Sequence, residues 1–322
     1  MKAAVYYETG APSVFRYEEV PDPPCHANGV LIDIKAISIE GGDTLNRAGG
    51  EMAGKPHIVG YQCAGTIREV GANVTDRTVD QAVVAVMGFG SHASMASVPA
   101  GFTWPVPDGL VLEQAACVPI PFGTADDCLF EFGRMKAGET VLIQAGAGGV
   151  GLAAIQLAKR AGATVFATAS SDEKLERLKE FGLDQGINYK AADFVAVARE
   201  LTGGRGVDLV VDGVGGKTLS GSIKCLAYRG RAVSFGQAGR DFSRPDVGLL
   251  SEGNRSLTGV ALAMEMALAY QRVHPMIAGH LRDVAAGSLR VAIDRSYPLS
   301  EAAAAHAYIE SRQAFGRVVL VP

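Results

Sequence analysis

The residues best placed to do chemistry form a glycine-spaced turn, Gln144-Ala145-Gly146-Ala147-Gly148-Gly149-Val150-Gly151. Gly146, Gly148 and Gly151 stand at G-x-G-x-x-G spacing. An apolar run leads into the turn and an Ala/Leu/Ile pattern of helical period follows it. Between a strand and a helix, each glycine has a task. The first permits a tight turn, the second lets the backbone approach a pyrophosphate, and the third lets the helix pack closely on the strand. The amides around Ala147, Gly148, Gly149 and Val150 then face an anion, helped by roughly half a unit of positive dipole charge. With 40 glycines in the chain, a purely structural turn is the competing reading.

The elements around this turn must build a parallel sheet. Apolar strands are predicted at 140–144, 164–169, 185–188, 207–212, 231–235 and 256–262, with helices at 149–160, 172–181, 193–201 and 219–226 between them. Strand–helix alternation implies a doubly wound, Rossmann-type α/β domain. The preceding region is rich in strands and turns, with candidate strands at 3–7, 29–39, 64–70 and 81–86. The texture changes at 112–121. A helix at 301–311 and a strand at 316–321 close the chain and can rejoin the first region. The predicted division is therefore 1–120 with 264–322 as one domain and 121–263 as the inserted nucleotide domain. A cleft between two lobes is a common ligand site.

Composition excludes several classes. A chain of 322 residues, 48% hydrophobic and 20% charged, can bury a large core, and its net charge of −4 offers nothing to nucleic acid or an anionic membrane. Residues 140–158 are uncharged, but their glycines and glutamines argue for a buried strand–turn–helix over a membrane span. No signal-peptide pattern opens the chain. The five cysteines are scattered without C-x-x-C, as expected of buried thiols in a reducing cytoplasm, and the six histidines show no metal-ligand spacing.

In the NAD version of such a fold, an acidic residue ends the second strand and grips the ribose 2′-hydroxyl. Here the strand runs into Ser170-Ser171, and Ser170-x-x-Glu173 reads as a capping box that places Asp172 and Glu173 in the next helix. A serine leaves room for a 2′-phosphate, which a carboxylate would repel by a few kcal/mol. Lys174 can supply the opposite charge, and Tyr189, after the third strand, can reach the same edge. NADPH is favoured over NADH.

End to end, the chain resembles the quinone oxidoreductase branch of the medium-chain dehydrogenase/reductase superfamily, the group related to zeta-crystallin. The carriers are Asp43-Thr44, Gly60-x-x-x-Ala64-Gly65, the glycine turn, Ile187-Asn188-Tyr189, Gly206-Val207-Asp208, Val214-Gly215, Gly230-Arg231, Phe235-Gly236 and Gly316-Arg317-Val318-Val319-Leu320. The resemblance implies a Rossmann domain inserted in a β-rich GroES-like catalytic domain, NADPH as cofactor, and homodimers built through the nucleotide-domain sheet. It places Thr124 at the nicotinamide end and Val214, Gly215, Phe235 and Gly236 along the nicotinamide and ribose. It places Arg317 on the pyrophosphate, where a solvated arginine on an edge strand is the alternative.

Zinc alcohol dehydrogenases carry a cysteine three residues before the matched aspartate and Gly-His-Glu in the first domain. Here those positions hold Glu40 and Gly60-Tyr61-Gln62. A catalytic zinc needs three protein ligands plus an open site, so no metal is expected. Without it, the reaction implied is hydride transfer to an acceptor that is already electron-poor, a quinone or an α,β-unsaturated carbonyl compound. Tyr61 is the candidate hydrogen-bond donor to the resulting oxyanion, against a reading as a packed core tyrosine. Glu40 is an acid candidate if burial raises its pKa, or it pairs with Arg47. Asp126-Asp127 reads as an exposed helix face. The partner is a small hydrophobic acceptor. The alternatives are an enoyl-thioester or enone reductase, and a cofactor-bound protein without turnover.

Overall fold

The computed structural model describes residues 1–322, which divide into two compact units, 1–120 with 277–322, and 121–276. The return to the first unit falls at 277, not at the predicted 264. The helices Leu262–Leu268 and the first turns of Tyr270–Ala285 still belong to the second unit. Pro275 lies inside that second helix, and a proline within an apolar-polar pattern reads as a stop from sequence alone. No helix is long and apolar enough to cross a membrane.

The first unit is built on a seven-stranded sheet. Its axis is the ten-residue strand Gly29–Ser38, buried at eight of ten positions because Gln62–Val70, Met95–Pro99 and Arg317–Val321 all pair with it. Ile32, Ile34, Ile37, Val83, Val98 and Leu320 fill the core on its face. The last strand, Arg317–Val321, runs between Gly29–Ser38 and Ile293–Pro298. It is interior, not an edge, which overturns the solvated-arginine reading of Arg317. A helix that sequence did not suggest, Gly41–Gly49, follows the long strand. Two leading glycines hide it, and Asp43 accepts the Glu40 amide at 2.7 Å to start it.

The second unit is a six-stranded parallel sheet in the spatial order Gln185–Asn188, Thr164–Ala169, Thr140–Ile143, Val207–Asp212, Leu226–Ser234, Ser256–Gly259. Numbered along the chain these are strands 3-2-1-4-5-6, the doubly wound order. Burial on both faces explains the unbroken apolar runs: all four residues of Thr140–Ile143 and all but one of Val207–Asp212 are buried. The order reverses between Thr140–Ile143 and Val207–Asp212, the switch point at which such sheets bind ligands beyond their carboxyl ends.

Candidate functional site

The carboxyl edge of the second unit gathers most of the nucleotide-binding candidates. After Thr140–Ile143 the chain turns through Ala145, which adopts a left-handed φ of 53°, while the three fingerprint glycines do not. Their role is space. A Cβ at Gly151 would lie 2.5 Å from the Ala145 carbonyl oxygen and 2.7 Å from Gly146 Cα, and one at Gly146 would lie 2.8 Å from Ala167 Cβ. The helix Gly149–Arg160 begins at Gly148 with no side chain capping it. Its first internal bond runs from the Leu152 amide to Gly148, so the amides of its first turn point outward. Gly148 is exposed and Gly149 and Val150 are half-buried. This open, uncapped cradle fits a pyrophosphate.

On one side of the turn, Ser170 and Ser171 end the strand Thr164–Ala169, both half-buried. Ser171, not Ser170, caps the following helix, accepting the Lys174 amide at 3.4 Å. The capping box predicted one residue earlier is therefore displaced. Asp172 and Glu173 still fall in the first helical turn, and Asp172 accepts from the Asn188 side chain at 3.0 Å. The shift leaves the Ser170 hydroxyl outside the cap. Exposed Tyr189 is tied beside it by its amide to Ala169 at 3.2 Å. On the other side, the Val214–Gly215 and Phe235–Gly236 loops meet. The Phe235 ring lies where a Cβ on Gly213 would go, at 2.3 Å, and the Phe235 amide bonds Asp212 at 3.0 Å. Thr124 lies buried on the helix Pro119–Asp126.

That helix passes into a π-helical turn, Asp127–Glu131. The exposed face expected at Asp126-Asp127 is not there. Asp127 is wholly buried and paired with Arg272 at 2.6 Å, which also holds Glu265 at 2.8 Å. The partner is 145 residues away in sequence, so no local pattern signalled it.

In the first unit, Glu40 and Arg317 are bonded to one another, and the carboxylate also accepts from Gln62. Arg317 further donates to Ser38 at 2.6 Å and to the Ile39 carbonyl at 2.6 Å. The pairing of Glu40 with Arg47 expected from sequence does not form. Arg47 is buried and bonds Glu310 and the Gly10 carbonyl. Burial pushes the Glu40 carboxyl above the usual carboxylate range, and Arg317 opposes the shift. Burial raises Asp43 well above it. Tyr61 is half-buried, with its ring against Gly42. Burial first, then the charges of Asp43 and Glu40, push its phenol up to about 12, so it stays a proton-bearing donor at neutral pH. Gly60, at φ +117°, lets the Tyr61 segment pass Ser91 and His92, which a Cβ would meet at 2.0 and 2.3 Å.

No group of three His, Cys, Asp or Glu side chains is arranged to hold a metal ion. The donors also fail chemically. Glu40 is the counter-ion of a buried arginine, and Tyr61 keeps its proton. All five cysteines are free, four of them buried.

Residues 26–108 match the alcohol dehydrogenase GroES-like domain family, and residues 149–278 match the family described as zinc-binding dehydrogenase. The chain is 36% identical over 329 residues to the 2-haloacrylate reductase of a Burkholderia species, covering 99% of this chain and 98% of that one. It is 31% identical over 333 residues to the rat quinone oxidoreductase, covering 100% and 98%. The Escherichia coli quinone oxidoreductase complexed with NADPH superposes with a TM-score of 0.95 at 29% identity, over the whole of both chains. With matches spanning the whole length and a residue set unsuited to zinc, the chain belongs to the zinc-independent quinone oxidoreductase branch of the medium-chain dehydrogenase/reductase superfamily.

Proposed function

We propose that this protein, an NADPH-dependent oxidoreductase acting on quinones or activated alkenes, holds its cofactor along the carboxyl edge of the second unit. The uncapped helix start at Gly148 carries the reading. The amides of Ala147, Gly149 and Val150 take the pyrophosphate, while the Gly148 amide closes the turn on the Ala145 carbonyl at 3.0 Å. Ser170, Ser171, Lys174 and Tyr189 take the 2′-phosphate, with no carboxylate at the strand end to repel it. Thr124, Val214, Gly215, Phe235 and Gly236 line the nicotinamide side. Bound NADPH supplies the hydride. Tyr61, kept protonated by burial and two acids, donates a hydrogen bond to the oxygen on which negative charge develops. Glu40 holds Arg317 in the core of the first unit, where the guanidinium donates to Ser38, the Ile39 carbonyl and Glu40 itself, rather than moving a proton.

The likeness to 2-haloacrylate reductase favours activated alkenes as a second acceptor class beside quinones. We further propose a cytoplasmic homodimer. The free thiols suit a reducing compartment, and Ser256–Gly259 forms an unpaired edge of the six-stranded sheet that a second copy can cover. Light scattering tests the assembly. Fluorescence titration of NADPH and NADH, followed by turnover on quinone and α,β-unsaturated carbonyl panels, tests the activity. Preferential NADPH oxidation is expected. Tight binding with no oxidation by any acceptor would leave a non-enzymatic role.

A further inference from the structure

Four polar side chains lie buried beneath the switch point of the parallel sheet, with none assigned to the cofactor or acceptor. Thr168 stands near the end of Thr164–Ala169, Gln144 follows Thr140–Ile143, Asp212 ends Val207–Asp212, and Ser222 lies on the helix Gly216–Lys224. None is more than 3% exposed. They are joined end to end. The Ala145 amide donates to Thr168 Oγ1 at 3.1 Å, and that hydroxyl donates to Gln144 Oε1 at 2.8 Å. Gln144 Nε2 donates to Ser222 Oγ at 3.1 Å, and Ser222 donates to Asp212 Oδ2 at 2.7 Å. Asp212 Oδ1 accepts the amides of Val214 and Gly215 at 2.8 and 2.9 Å.

The chain has one polarity. Each hydroxyl has a single proton, and both are spent pointing towards the carboxylate. Reversing the Gln144 amide would break two bonds at once. Three donors converge on Asp212, which favours its ionised form against the burial that pushes its pKa up. At both ends the network fixes backbone in the left-handed region. Ala145 has φ +53°, and Gly215, at φ +77°, starts a helix whose Lys217 amide donates to the Asp241 carboxylate at 3.0 Å. Residues held in such conformations persist where their surroundings over-determine them.

Resting on the reading that NADPH spans this edge, we propose that Thr168, Gln144, Ser222 and Asp212 are positioning residues that couple the phosphate-binding turn to the nicotinamide-side loop. Ordering of the Ala145–Gly151 turn by the pyrophosphate is thereby transmitted to Val214–Gly215, which aims the nicotinamide. A buried polar network that is complete holds one geometry, and one that is cut loses more than a single bond.

The test measures single-turnover hydride transfer from NADPH to a quinone, and the affinities for NADPH and for adenosine 2′,5′-diphosphate, which has no nicotinamide. Thr168→Val, at the phosphate end, should slow hydride transfer about fivefold to tenfold, whereas Thr168→Ser, which keeps the hydroxyl, should restore it. Ser222→Ala should slow it similarly, and the double variant should be no slower than the worse single, because the chain is already cut. Effects that multiply in the double variant, or a Thr168→Val that changes only NADPH affinity, would overturn the coupling. If the double variant does not fold, the contrast between Thr168→Val and Thr168→Ser decides alone. Failure of the unaltered protein to bind NADPH would instead sink the cofactor reading.

Discussion

Ser170 and Glu40 show how much one side chain can decide. Ser170 follows its strand where a carboxylate would select NADH, and with Ser171 taking the helix cap its hydroxyl lies outside the cap, as the proposed 2′-phosphate site requires. Ser170→Asp should weaken NADPH at least tenfold while NADH changes by less than about threefold, because only NADPH brings the charge that is repelled. Equal effects in a fluorescence titration would misplace the phosphate. Glu40 has the opposite character. Its carboxylate neutralises a guanidinium in the core, so Glu40→Ala should destabilise the fold by about 3–5 kcal/mol by leaving Arg317 buried and unpaired. Denaturant unfolding checks this, and a loss under about 1 kcal/mol would show that Arg317 finds another partner or water. The pair was not legible in sequence because its members are 277 residues apart. The place of Ser170 was legible because it follows a recognisable apolar strand, Thr164–Ala169.

At the scale of elements, the parallel sheet was readable because its strands are short apolar runs closed by turns, and the run at 207–212 coincides with Val207–Asp212. The helices Gly41–Gly49 and Tyr270–Ala285 were not. Glycines start the first and Pro275 interrupts the second, so tertiary packing overrides local propensity in both. The glycine turn itself divides by space. Gly151→Ala would place a methyl 2.5 Å from the Ala145 carbonyl, so the helix must shift, at about 1–3 kcal/mol. Gly148→Ala meets that carbonyl only at 3.3 Å. It should leave the melting temperature nearly unchanged while weakening NADPH, since the proposed reading seats the anion on this turn. A variant at Gly148 that binds NADPH normally would place the pyrophosphate elsewhere.

Across the whole molecule, stability should respond to acid through a pair of histidines that the function does not use. His92 and His306 are buried, with their Nε2 atoms 3.0 Å apart. Burial holds His92 down at about 3 and His306 well below its usual value. Both are neutral when folded and take protons near pH 6.5 when unfolded. Their contribution is therefore complete above about pH 6.5 and is lost as pH falls towards 3, by about 1.4 kcal/mol per pH unit for each histidine. Chemical denaturation between pH 7.5 and 5 should show this slope, and His306→Gln should make it shallower; an unchanged slope would assign the acid sensitivity to other groups. The acids Glu40 and Asp43, raised by burial, work in the opposite direction and flatten the profile.

Hydride transfer from NADPH to an electron-poor acceptor needs no help from a metal in this protein. This is tested most directly by initial rates of NADPH and NADH oxidation with a benzoquinone and with an α,β-unsaturated carbonyl acceptor, before and after exhaustive chelation. Turnover should occur with NADPH strongly preferred, at a rate that chelation leaves unchanged. Activity that vanishes with the chelator and returns with zinc would contradict it.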